Sequence, residues 1–299
     1  IDGSSLREVI AKNFSIDSNR IILGSGSDEV LLFAALAFCQ DGDEILHANH
    51  GFEMYSIVSK VVGAVPKKIK EDENFNLNIE NLIDQTNEAT KVIYIASPNN
   101  PTGTYLSRDK LVKLMNRISK NIVVVIDGAY VEYVQKDDYD KGFSLTDEYE
   151  NIILTRTFSK TYGLAALRVG WCYTSKKIAD IINKIKPPFN TTTISQSLAI
   201  KALEDKEHIE NSVKLNSEIK NWFEKELKLL NIKIRQTEGN FTLIETSEEE
   251  AEKISNHLMN DGIIIRRLNS YNLPNFLRIS IGTKEEMNMT VESLKKINV

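Results

Sequence analysis

Apolar and polar positions divide the 299-residue chain into two textures. In the first, short runs rich in β-branched residues alternate with amphipathic stretches. The runs Glu44–His47, Val65–Ile69, Val92–Ala96, Ile122–Ile126, Ile152–Thr155 and Arg168–Tyr173 have the length and composition of strands. Ser27–Cys39, Glu53–Val62 and Ser107–Ser119 repeat their apolar residues at helical spacing. Strands alternating with helices build βα units and a mainly parallel sheet, so the fold class is α/β. The run NIVVVID, ending at Asp127, has no polar alternation, as expected of a strand covered on both faces.

The second texture begins after Lys186. KPPFNTT supplies two prolines and then hydroxyl residues, the pattern of a loop leading into a helix cap. A helical stretch follows over Ile194–Leu230, interrupted near Asp205. Then come strands Ile232–Gln236 and Phe241–Glu245, helix Glu248–Asn260, strands Ile263–Arg266 and Phe276–Ile281, and helix Lys284–Ile297. The expected organisation is a large domain over 1–188, with a linking helix and a smaller α+β domain over 189–299. There is no internal repeat and no low-complexity segment.

Composition narrows the function. Hydrophobic residues make up 41% and charged residues 26%, as in ordinary globular proteins. A net charge of −5 argues against a nucleic-acid surface, but local arginines can still bind a small anion. Cys39 and Cys172 sit in apolar runs and read as buried thiols. His47 and His50 lie close together, yet no third ligand accompanies them, so no metal is expected. No apolar run reaches the roughly 18 residues that span a membrane, and no signal peptide is legible. The expected compartment is the cytoplasm.

In a sheet of this kind, ligands sit at the carboxyl ends of the strands. Four loops there carry candidate chemistry. Gly24-Ser25-Gly26-Ser27-Asp28-Glu29 follows Ile21-Ile22-Leu23 and opens an apolar helix. Its glycines allow close backbone approach, and the helix start offers free N–H groups to a phosphate. An ordinary Ser/Asp cap uses the same residues. The second loop, SPNNPTG over 97–103, places asparagine amides at a strand end, or forms a constrained turn. Third, Asp127 closes a buried strand and needs a metal, an arginine, a protonated ring nitrogen or a turn to cap. Tyr130 lies three residues on.

The fourth loop is TRTFSKTYGL over 155–164. Lys160 is flanked there by hydroxyls, and Arg168 follows eight residues later. A solvated surface lysine is one reading. The other is a pair of cations and hydroxyls around a phosphorylated ligand, with a partly desolvated lysine as an amine nucleophile.

These four pieces, in this order, resemble the fold-type I pyridoxal-phosphate aminotransferases. TFSKTYGLAALRVGW and LPNFLRISIGT make the chain most similar to the histidinol-phosphate aminotransferase family, from SSLREVIAK onward. The resemblance implies a three-layer αβα large domain with a seven-stranded, mainly parallel sheet. It implies pyridoxal 5′-phosphate as cofactor, with Lys160 as the lysine that bonds the cofactor aldehyde and shuttles the substrate proton. Asp127 takes the place of the acid paired with the pyridine nitrogen. Asn100 and Tyr130 match the groups at the cofactor 3′ oxygen, and Phe52 the aromatic stacked on the ring. Gly26, the backbone of Ser27 and Asp28, and Thr157, Ser159 and Arg168 match the phosphate cradle. Arg278 and Arg266 match arginines that grip the anionic substrate, beside Asn100. Asn240 orients substrate or caps a strand.

The activity implied is transamination of L-histidinol phosphate with 2-oxoglutarate, giving imidazole-acetol phosphate and glutamate. An aromatic amino-acid aminotransferase or a threonine-phosphate decarboxylase on the same scaffold is the near alternative. A pyridoxal-phosphate-binding regulatory domain is a distant one. The partners implied are a small amino donor, a 2-oxo acid and a second copy of the chain in a homodimer. Two departures stand out. Gly128 occupies a position where the family often has glutamate. The family's N-terminal arm, with its asparagine-proline-tyrosine motif, does not precede Ile1, so the chain reads as a fragment of a longer product.

Overall fold

The computed structural model describes residues 3–297. Strands β1 (Ile21–Gly24), β2 (Glu44–Ala48), β3 (Val65–Ile69), β4 (Thr90–Ala96), β5 (Val123–Asp127), β6 (Ile152–Thr157) and β7 (Gly170–Thr174) form one sheet in the order β1-β7-β6-β5-β4-β2-β3. Strands β2 to β6 are parallel, and β7 runs antiparallel to both of its neighbours. Helices α1 (Ser4–Phe14), α2 (Ser27–Phe38), α3 (Glu53–Val61), α4 (Ile79–Asp84), α5 (Arg108–Arg117), α6 (Leu145–Glu148), α7 (Lys176–Ile185) and α8 (Thr193–Glu204) accompany it.

The unbroken apolar strands have a direct cause. Leu46, Ile93, Val124 and Leu154 face a core shared with Leu6 and Ile10 of α1, Leu114 of α5 and Leu203 of α8. Their neighbours Ile45, Val92, Val125 and Ile153 face the opposite core, with Leu31 of α2, Val58 of α3 and Ile182 of α7. Alternate residues of a strand point to opposite sides, so a sheet covered on both sides needs apolar residues at every position.

Strands β8 (Lys233–Arg235), β9 (Phe241–Glu245), β10 (Arg266–Leu268) and β11 (Leu273–Ser280) form a second, antiparallel sheet in the order β10-β11-β9-β8. Helices α9 (Lys206–Leu229), α10 (Glu248–Asn260) and α11 (Lys284–Lys295) pack on it through Phe223, Leu227, Ile254, Leu258, Val291 and Leu294. The expected interruption at Asp205 is a cap: its carboxylate accepts the His208 N–H at 3.0 Å and starts α9. Ser247 and Thr283 form capping boxes with Glu250 and Glu286.

Several expected strands differ in extent, three of them for instructive reasons. Arg168 does not belong to one: its φ of 47° is left-handed, and pairing begins at Gly170. That turn lets its guanidinium cross to the start of α2. Ile263–Ile265 stay outside the small sheet because the Ile263 N–H is already taken by the Leu258 carbonyl at the end of α10, 2.7 Å away. The last strand starts earlier, at Leu273. Helices α1, α4, α6 and α7 lie outside the predicted segments. In α7 the signal was present but short, with Ile178, Ala179 and Ile182 on the buried side.

Candidate active site

The carboxyl ends of β4, β5 and β6 meet the start of α2 in one cleft. Ser27, Asp28, Phe52, Asn100, Asp127, Tyr130, Thr157, Ser159, Lys160 and Arg168 all line it. Residues separated by up to about half the chain in sequence are thus brought to a single volume.

One end of the cleft suits an anion. Gly26 has φ +80°, and a Cβ there would lie 2.5 Å from Nη2 of Arg168. Gly170 of β7 backs the same turn, where a Cβ would lie 2.4 Å from the Ser27 nitrogen. The start of α2 therefore sits directly on β7, and its first residues, Ser27 and Asp28, line the cleft. Arg168 donates to Asp28 Oδ2 and the Ala165 carbonyl, both at 3.0 Å, and to Ser159 Oγ at 3.5 Å. The Asp28 carboxylate thus holds the arginine. Thr157 Oγ1 accepts the Ser159 N–H at 3.1 Å, fixing the second hydroxyl beside the cradle. Gly170→Ala is expected to displace the α2 start and weaken binding of a phosphorylated cofactor by about tenfold or more. A fluorescence titration of the apo-protein with pyridoxal 5′-phosphate measures this.

The middle of the cleft holds a buried acid. Asp127 Oδ2 accepts the Tyr55 hydroxyl at 2.9 Å, and Oδ1 accepts Thr155 Oγ1 at 3.0 Å and the Ala129 N–H at 3.2 Å. Burial pushes its pKa up, against the pull of those three donors. Among the described residues no salt bridge reaches it, so a cationic group brought by a ligand would find an uncompensated carboxylate. Tyr55 was not anticipated. It lies one residue short of a full turn beyond Phe52, stacks on Tyr94 with centroids 4.9 Å apart, and is fully enclosed. The position of Phe52 in HGFEMY was the available signal, since the next aromatic on α3 must face the same strands.

Lys160 stands opposite. Its pKa is lowered, first by burial and then by the Arg278 charge, while Asp28 and Asp127 pull the other way. A larger share of free amine at neutral pH results. Its Nζ lies 5.2 Å from the centre of the Tyr130 ring. Tyr130 is buried edge-on to Phe241, and burial pushes its pKa up to about 12, so it remains a phenol at neutral pH.

Arg278 and Arg266 do not line the cleft themselves; Arg278 reaches it through Asn100. Arg278 Nη1 donates to Asn100 Oδ1, and its guanidinium lies 5.2 Å over the Phe241 ring. Its Nε is buried without a protein partner. Arg266 is the register partner of Arg278 across β10 and β11, so both side chains leave the sheet on the same face. Arg266 also makes a long ion pair with Glu53 Oε2 at 3.9 Å. Asn240 holds a strand end, its carbonyl accepting the Ile281 N–H at 2.9 Å.

The model of the class I and II aminotransferase family matches residues 3–294. The chain belongs to this family of pyridoxal-phosphate-dependent aminotransferases. Among its curated relatives, histidinol-phosphate aminotransferase of Pelagibacter ubique is 40% identical over 296 residues, covering 98% of this chain and 82% of that protein. The enzyme of the same name from Zymomonas mobilis is 39% identical, over 95% of this chain and 78% of its own length. The fold matches the crystal structure of histidinol-phosphate aminotransferase from Sinorhizobium meliloti in complex with pyridoxal 5′-phosphate. That TM-score is 0.92 at 23% identity, with 99% of this chain and 83% of that one covered. Aspartate aminotransferase from Thermotoga maritima shares the fold at a TM-score of 0.87 and 24% identity, covering 99% and 82%.

The departure at Gly128 has a steric cause in this aminotransferase. A Cβ there would lie 2.1 Å from Nη1 of Arg156, whose buried guanidinium fills the space a side chain would need. Cys172 is buried as expected, whereas Cys39 is only half-buried. Among the described residues no group of metal-binding side chains is present, and no helix is long and apolar enough to cross a membrane.

Proposed function

We propose that this aminotransferase transfers the amino group of L-histidinol phosphate to 2-oxoglutarate, working as a cytoplasmic homodimer in histidine biosynthesis, with 1–188 holding the cofactor and 189–299 closing over the substrate. The observation that carries the reading is the arginine pair. Two arginines directly opposite in register put two like charges on one face of the small sheet, and an anion that both can reach would stabilise them. A phosphate monoester has the charge and the oxygens to do so, and a side-chain carboxylate of the second substrate can use the same cations in turn. Names of relatives about 40% identical over nearly the full chain support the same substrate. Neither an aromatic side chain nor a regulatory role calls for a second arginine.

The residues fit the cofactor. The cradle at Gly26–Asp28, Thr157, Ser159 and Arg168 suits its phosphate, and Asp127 its ring nitrogen. Phe52, Asn100 and Tyr130 line the same cleft, where Phe52 would stack on the ring and Asn100 and Tyr130 would meet the 3′ oxygen. When bound, pyridoxal 5′-phosphate supplies an aldehyde that takes up the substrate amine and a ring that draws electrons from the substrate Cα. Asp127 keeps a proton on the ring nitrogen, which preserves that electron demand. Lys160 would hold the cofactor aldehyde through its amine and, once the substrate amine has displaced it, would carry the proton from Cα to C4′. Tyr130 donates a hydrogen bond as a phenol. Arg278 and Arg266 hold the anionic end and orient Cα toward Lys160.

Arg266→Gln is expected to raise KM for histidinol phosphate by about 10- to 100-fold, the worth of a charge-assisted hydrogen-bond pair, with much less effect on phenylalanine. Steady-state kinetics with both donors tests this. Equal losses for the two would remove the phosphate role of Arg266.

A further inference from the structure

A long contact joins Arg266 of the small sheet to Glu53, the residue after the cleft-lining Phe52. Glu53 opens α3, immediately after Phe52, and Arg266 begins β10 in the small sheet. Their charged atoms are 3.9 Å apart and both side chains are partly open to water, 37% and 55% exposed respectively. Tyr271 ties the same point together. Its buried ring sits in the small core with Phe276 and Leu268, and the Glu53 backbone N–H reaches its phenol. Glu53, Arg266 and Arg278 all act electrostatically on that phenol, which places the three charges around one spot.

We infer that Glu53 is a specificity-determining residue that sets the anion affinity of the arginine pair by competing with the substrate for Arg266. This rests on the reading of Arg266 and Arg278 as the site for the substrate anion. The paired arginines alone put two positive charges on one face of the small sheet. Glu53 removes about half of that excess and gives Arg266 a partner between turnovers. The contact is too long for a good hydrogen bond, and an exposed pair of this kind is weak. A phosphate dianion making short, bidentate bonds therefore displaces it, and a singly charged group does so less well. As the anion leaves, Glu53 takes Arg266 back, which keeps phosphorylated product from being held too tightly.

The test is Glu53→Gln in the holoenzyme, alone and combined with Arg266→Gln. Glu53→Gln is expected to lower KM for histidinol phosphate and the inhibition constant of inorganic phosphate by about two- to fivefold, the range for an exposed ion pair. Both gains should vanish in the Arg266→Gln background. Unchanged or raised constants, or gains that persist without Arg266, overturn the inference. The two readings can fail separately. If histidinol phosphate is not turned over but inorganic phosphate inhibits phenylalanine transamination more tightly in Glu53→Gln, the substrate assignment fails and the role of Glu53 stands.

Discussion

Lys160→Ala is expected to lower transamination by more than about 10⁴-fold, because in the proposed mechanism one change removes both the amine that bonds the cofactor and the base that moves the substrate proton. The side chain lies in the cleft with no structural salt bridge, and its burial lowers its pKa. The variant should therefore fold normally, with an unchanged circular dichroism spectrum. It should also lose the visible absorbance of the lysine-linked cofactor. Turnover reduced by less than about tenfold would mean that another group carries the proton.

Asp127→Asn is expected to have two opposite effects. Turnover falls by about 10²- to 10³-fold, as when one pre-placed electrostatic partner of a reacting system is removed. The apo-protein, in contrast, melts at a higher temperature at neutral pH. The sign follows from linkage. Burial raises the folded-state pKa of Asp127 above the unfolded value. As pH rises from that unfolded value through the folded one, the unfolded chain releases a proton that the folded chain retains. The apo-protein therefore loses stability across that window, and the full penalty is present above it. Asparagine has no such proton, so its apo-protein should lack this loss. Tm measured against pH for apo and holo forms of both proteins reads the effect. A wild-type apo-protein that gained stability from Asp127 as pH rose would contradict the account.

Much of this fold lay open in the sequence. Strands in doubly covered sheets carry an apolar residue at every position, and NIVVVID shows that demand without any structure. The boundaries that failed were those set by specific hydrogen bonds, one distant and one at a helix end. Arg168 leaves its strand because its guanidinium is wanted at Asp28, 140 residues away. Ile263 leaves its strand because its N–H completes the end of a helix. The first bond has no local signal, whereas the second was foreshadowed by Gly262, whose left-handed φ of 81° closes α10. The same holds for the site. Lys160, Asp127 and the glycine turn were legible because each breaks a local rule: a polar run beside strands, an acid closing a buried strand, a pair of glycines at a helix start. Tyr55 and Thr155 break no rule. They look like core residues, and only the fold turns their hydroxyls toward Asp127. Gly128 was visible as a departure, but its cause, the buried Arg156 guanidinium, was not.

The arginine pair combines both kinds of information. Arg266 and Arg278 each stand in a recognisable run, yet their spacing of twelve residues says nothing about direction. The antiparallel register makes them direct neighbours on one face, and Glu53 from the other lobe completes the charge set.

The most direct measurement is a single half-reaction on the reconstituted protein, following the loss of its visible absorbance with histidinol phosphate, phenylalanine and threonine phosphate in turn. The account predicts that histidinol phosphate converts the cofactor to its amine form fastest, by about tenfold or more in kcat/KM over phenylalanine, with no carbon dioxide released from threonine phosphate. Faster conversion with phenylalanine, or decarboxylation of threonine phosphate, would contradict it.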